Sequence, residues 1–107
     1  MRIIARKTLR DFVDSLRGSS DQKAVKAALD AWFHEVQNSE WRMPVDVTGR
    51  YVTASIVSSD RVVFNIEGNA YRLVVAVDYQ RQIVFIKWLG THAQYDKINV
   101  RTVKYAG

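Results

Sequence analysis

Apolar positions along the chain change period near residue 61. Upstream, Leu9, Phe12, Val13 and Leu16 recur at helical spacing, and Gly18 stands where such a helix would end. Val25, Ala28, Leu29, Trp32, Phe33 and Val36 then form one stripe over about three turns. Ser19 with Gln22 three residues later has the pattern of a capping box at the start of that second helix. Two amphipathic helices joined by a tight Gly-Ser turn predict an αα-hairpin. Ahead of it, the short apolar run MRIIA reads as a strand.

From Arg61 the period becomes two. RVVFNI, YRLVVAVDY and QIVFIKWL predict three strands, with turns at residues 67–69 and 80–82 short enough to make neighbours antiparallel. Residues 39–60 hold no period, broken by Trp41, Pro44, Gly49 and the Ser58-Ser59 pair. A structureless loop that long is uncommon in a small domain, so a short helical turn or strand is expected near residues 51–56. The order β-α-α-β-β-β-α predicts an α+β fold: a mostly antiparallel sheet with the N-terminal αα-hairpin packed on one face. The other face is left for function. Alternation puts Tyr71, Leu73, Val75 and Val77 on one side and Arg72, Val74 and Ala76 on the other. By the same count Lys87 faces away from Val84, Ile86 and Trp88, which places Trp88 in the core. Burying Arg72 and Lys87 unpaired beneath helices is costly, so both are expected on the open face or its edge.

With 107 residues, the chain is expected to be a single domain over residues 1–107. It contains no cysteine, hence neither a disulfide nor a thiol nucleophile, which fits a cytoplasmic protein. No apolar run approaches the ~18 residues of a membrane span, and no signal-peptide pattern follows the start. Charge changes the picture more than composition does. Of the net +5, residues 1–60 supply +1 (nine Lys/Arg against eight Asp/Glu) and residues 61–107 supply +4 (seven against three). Ten of the sixteen cations are Arg, whose planar guanidinium suits phosphate. The basic half, with Arg61, Arg81, Lys97 and Arg101 as its candidate contacts, therefore suits a phosphate-bearing partner; a solvated basic surface is the plain alternative.

The densest chemistry follows the last strand. Gly90 ends it, and Thr91 with Gln94 repeats the capping-box pattern, so a helix should begin there with His92 first and Tyr95 one turn on. A helix N-terminus offers unpaired N–H groups to a phosphate, and an imidazole beside a phenol can move a proton to or from a sugar hydroxyl. The alternative is an exposed His92 and a Tyr95 that only packs the helix on the sheet. His34 lies beside its helix's apolar stripe and is expected in solvent. No His/Asp/Glu spacing resembles a metal site, and no metal or cofactor is expected. Trp88 could stack on a base, but the interleaved Gly and aromatics of single-stranded-RNA platforms are missing.

Two blocks, VVFNIEGNAYRLVVAVDY and VFIKWLGTHAQYDKI, resemble the HigB toxins of bacterial toxin–antitoxin pairs, a branch of the RelE superfamily. The likeness is strongest over residues 61–98, and the two N-terminal helices fit in place. It implies a small RelE-like fold and an endoribonuclease that cuts messenger RNA, generally in the ribosomal A site, without metal or covalent intermediate. The 2′-hydroxyl beside the scissile phosphate would attack. The partners implied are messenger RNA, the ribosome and a cognate helix-turn-helix antitoxin, HigA-like, through which alone DNA would be met. Carried onto this chain, Arg72 of the YRL block matches the phosphate-stabilising arginine, and Lys87 sits where a second cation commonly lies. Tyr95 matches the tyrosine after the last core strand, and His92 the histidine of the TH pair, the first choice for acid or base. The RelE archetype crowds its site with lysines and arginines; this chain has a histidine and few cations, which leaves the base open. A non-catalytic RNA- or ribosome-binding module that blocks translation is the competing reading, since it needs the basic half but neither His92 nor Tyr95.

Overall fold

The computed structural model describes residues 1–104. Its elements, in chain order, are β1 (Arg2–Ile4), α1 (Arg6–Ser15), α2 (Gln22–Gln37), α3 (Pro44–Arg50), β2 (Ser55–Ile56), β3 (Arg61–Ile66), β4 (Tyr71–Asp78), β5 (Ile83–Thr91) and α4 (His92–Tyr95). The five strands form one sheet ordered β1-β5-β4-β3-β2, antiparallel throughout except that β1 runs parallel to β5. Gly18, at φ +87°, ends α1 and turns the chain into the second arm of the hairpin. The expected capping box is not formed there. Helix α2 begins only at Gln22, whose side chain instead reaches across the hairpin and donates to the Val13 carbonyl at 2.9 Å. Within the aperiodic stretch, Pro44 opens α3, and the Asp46 carboxylate accepts the N–H groups of Arg42 (2.9 Å) and Met43 (3.3 Å).

The hairpin covers one sheet face, as the stripe of α2 requires. Val25, Leu29, Trp32 and Val36 pack with Val62, Phe64, Leu73, Val75, Val77, Val84, Ile86 and Leu89 in a single core. Phe64 lies at its centre: the rings of Tyr51, Trp32 and Trp41 surround it at centroid distances of 5.0, 5.4 and 6.2 Å. Fully burying one such side chain stabilises the fold by about 1.5–3 kcal/mol. At the hairpin's end, the buried Tyr71 donates its hydroxyl to Asp21 at 3.0 Å. Burial, and then the Asp21 carboxylate, push the Tyr71 phenol above its ordinary pKa.

The second face is not bare. Val63, Val74 and Ala76 lie outside the hairpin core and are nonetheless buried. Arg61, which pairs with Ala76 on this face, donates Nη1 to the carbonyls of Val100 (3.2 Å) and Val103 (2.7 Å). That pins the segment after α4 across the sheet. Helix α4 itself contacts both β4 and β5.

Candidate active site

Register fixes which side chains share the second face. On β4, Arg72 is paired on one side with Asn65 and on the other with Gly90. Two residues along, Val74 is opposite Trp88, whereas Val75 is opposite Ile86. One extra residue, Lys87, therefore stands in β5 as a β-bulge. The bulge overturns the simple alternation. Val84, Ile86 and Leu89 face the core, and Trp88 turns out to the second face beside Val74. The core placement expected for Trp88 is wrong for this reason alone.

Gly90 then explains how the indole is seated. A Cβ there would lie 2.5 Å from Trp88 Cη2, 2.6 Å from Cζ2 and 2.7 Å from Gln94 Oε1. The indole thus lies over the glycine backbone, next to Arg72's row of the sheet. Its ring is 6.2 Å from that of Tyr95, tilted by 53°. Arg72 is half-buried and tied to the β3–β4 turn: Nη1 donates to the Asn69 carbonyl at 3.0 Å, and Nη2 to Asn69 Oδ1 at 2.7 Å. These bonds orient the fork while leaving some of its five N–H donors for an anion.

Helix α4 begins at His92 as expected, and its capping box is complete. The Gln94 N–H donates to Thr91 Oγ1 at 3.1 Å, and the Thr91 N–H donates to Gln94 Oε1 at 2.9 Å. The His92 N–H donates to the Ala70 carbonyl at 3.0 Å, fastening α4 to the same turn that orients Arg72. With the N–H groups of Thr91, His92 and Gln94 taken, this four-residue helix keeps little of the anion site expected at its N-terminus. A phosphate would have to be held chiefly by side chains. The His92 imidazole is exposed, with Nε2 3.9 Å from Asp96 Oδ2, and Tyr95 is half-buried against Trp88.

Arg72, Trp88, His92 and Tyr95 thus gather around the β3–β4 turn and the end of β5. Lys87 does not join them. Its Nζ lies 5.4 Å from the centre of the Phe85 ring, back along the strand and away from Gly90. The other sequence candidates are scattered. Arg61 is spent on two main-chain carbonyls. Arg81 sits in the β4–β5 turn at the opposite end of the sheet, 3.8 Å from Asp78. Lys97 and Arg101 are exposed beyond α4. His34 is exposed on α2, as expected. Sequence reasoning found Gln94 through its capping pattern but missed Asn69 and Gly90 as supports; the Trp-Leu-Gly spacing, which puts a glycine on the same strand face as the indole, was the one signal that pointed to Gly90. Among the described residues no three of His, Asp and Glu cluster as metal ligands, and no helix is long and apolar enough to cross a membrane.

Comparison with known proteins supplies the class. A family model described as a RelE-like toxic component of a toxin-antitoxin system, HigB_toxin, matches residues 25–98. That span runs from the first turn of α2 through β2, β3, β4 and β5 to α4, and so includes every residue of the site just described. The chain belongs to the HigB toxin family, and its role is that of a toxin paired with an antitoxin. No curated protein matches the chain.

Proposed function

We propose that this toxin is a metal-independent endoribonuclease that inhibits translation by cutting messenger RNA, in the ribosomal A site, and that it is restrained by a HigA-like helix-turn-helix antitoxin. A base removes the proton of the 2′-hydroxyl, whose oxygen then bonds to the adjacent phosphorus. The bond from phosphorus to the 5′-oxygen breaks, and an acid protonates that oxygen. The products are a 2′,3′-cyclic phosphate and a 5′-hydroxyl end. Arg72 stabilises the doubly charged phosphorane, His92 and Tyr95 divide the two proton transfers, and Trp88 offers its ring to a neighbouring base. Lys87 is proposed to bind the RNA strand rather than the reacting phosphate, and Lys97 and Arg101 to contact ribosomal or messenger RNA backbone.

One observation supports this reading above the rest. An arginine with a fixed, partly unsatisfied guanidinium shares a turn with the helix that presents the imidazole and phenol. The exposure of His92 favours the second reading, a non-catalytic blocker of the ribosome, because a solvent-facing imidazole is accounted for without a catalytic role. Arg72→Ala decides between them. Loss of one donor to a transition-state oxyanion lowers the rate by about 10²–10³. Mapping 5′-hydroxyl ends on messenger RNA after induced expression should find cuts with the wild type and few or none with a folded Arg72→Ala variant. Growth arrest without any new ends would refute cleavage.

A further inference from the structure

The second sheet face carries an open cleft of about 450 Å³ on the far side of Trp88 from Arg72, with Asp60, Ala76, Val77, Asp78, Phe85 and Lys87 in its lining. Its volume falls within the range of small-molecule sites, about 300–1,000 Å³. We infer that this cleft is a base-reading subsite for a nucleotide flanking the scissile phosphate, and that it prefers guanine and disfavours uracil. The inference rests on RNA being the substrate.

Three features carry it. Phe85 and Ala76 give the cleft an apolar floor, which suits a planar base. Lys87 stands at the cleft with its ammonium over Phe85 and no carboxylate partner among the described residues, so it is free to meet the phosphate of an incoming nucleotide. Asp60 and Asp78 line the same space. Ser58 donates to Asp60 Oδ1 at 3.0 Å and the Arg81 N–H to Asp78 Oδ1 at 3.0 Å, with Arg81 Nε 3.8 Å from Asp78 Oδ2, which leaves acceptor capacity chiefly on Asp60 Oδ2. Arg61, also in the lining, is held by the Val100 and Val103 carbonyls, and Lys87 takes the phosphate, so the base is the part that meets the carboxylates. They accept hydrogen bonds only, so the base must present donors. Guanine presents two adjacent ones, N1–H and the exocyclic amine. Adenine and cytosine present an amine next to an acceptor. Uracil presents a single N–H between two carbonyls that face the carboxylate with like charge. Position agrees: Lys87 is three residues from Gly90, about 10 Å along the strand, which reaches a neighbouring nucleotide rather than the reacting one.

The test separates this subsite from catalysis. Purified protein is titrated with guanosine, adenosine, cytidine and uridine monophosphates while backbone amides are followed by NMR. Guanosine monophosphate should bind at least about fivefold more tightly than uridine monophosphate, the low end for a paired base contact, and shift the amides of Ala76, Asp78 and Lys87. The double variant Asp60→Asn with Asp78→Asn keeps the shapes and the acceptor oxygens that Ser58 and Arg81 use. It should remain folded and lose the preference. Equal affinity for the four nucleotides, shifts elsewhere on the surface, or an unchanged preference in the folded double variant would each overturn the assignment. No bond is cut in this experiment, so its outcome holds whether or not the protein proves to cleave RNA. If cleavage is also mapped, guanine enrichment beside the cut should vanish in the double variant while cutting persists.

Discussion

Replacing Gly90 by alanine tests the geometry of the site without touching any of its charged groups. In a strand that tolerated the methyl group, Gly→Ala would stabilise the protein by about 0.4–1 kcal/mol, through the entropy of the unfolded chain. Here the new Cβ would lie 2.5 Å and 2.6 Å from two indole carbons and 2.7 Å from the Gln94 amide oxygen. The indole must leave its seat, at about 1–3 kcal/mol for overpacking, and Gln94 must withdraw from the Thr91 N–H, at about 1 kcal/mol for the cap. The predicted loss is therefore about 2–4 kcal/mol, opposite in sign to the simple expectation. With a urea slope of about 1–3 kcal/mol per molar, the unfolding midpoint should fall by roughly 1–2 M. Removing the obstacle is the control: in a Trp88→Leu background the same substitution should cost less than half as much. A midpoint that does not fall, or an equal loss with and without the indole, would show that Trp88 does not lie over Gly90.

His92→Gln should keep α4 in place, because the backbone N–H makes the bond to Ala70, yet lower cleavage by about 10²–10⁴ if the imidazole moves a proton; cleavage at the wild-type rate would remove it from that role. Tyr95→Phe retains the ring against Trp88 and loses only the hydroxyl, so it should impair cleavage while leaving the stability within about 0.5 kcal/mol of wild type. Arg61→Ala should release the segment after α4 at a cost of about 1–3 kcal/mol, seen as faster hydrogen exchange at residues 100–103; unchanged exchange would mean the two carbonyl bonds do not hold it. Tyr51, Tyr71 and Tyr79 all have folded-state pKa values raised above the ordinary 10, first by burial and then by neighbouring carboxylates. The unfolded chain thus gives up these protons first, so stability should hold below about pH 10 and fall above it, and Tyr71→Phe should flatten that fall.

Most of the architecture was legible in the pattern of apolar residues, since two helical stripes and three alternating strands each dictate a face. What the pattern cannot hold is a single inserted residue. The count by twos along β5 was sound from Val84 to Ile86, and the bulge at Lys87 then reversed Trp88. No local feature of Ile-Lys-Trp announces it. The Ser19–Gln22 pattern failed for another reason: Gln22 found a carbonyl on the neighbouring helix, a tertiary partner that spacing does not reveal. Helix α3 was blurred by its shortness and by Val45, an exposed apolar residue that weakens any amphipathic signal. Of the site, the Thr91–Gln94 box was readable because capping is local. Arg61's use as a clasp and Lys87's turn toward Phe85 were not, because a cation's partner is chosen in three dimensions.

The parallel pairing of β1 with β5 joins segments far apart in the chain, Arg2 lying opposite Ile83. A strand three residues long has no other neighbour in the sheet, so it cannot dock until β5 has formed. Contacts of such long range are slow to form. The helical hairpin can assemble from local contacts, whereas β1 and α4 both pack on β5 and wait for it. The sheet edge at β1 and the helix that carries His92 and Tyr95 are therefore completed by one and the same step, the formation of β5.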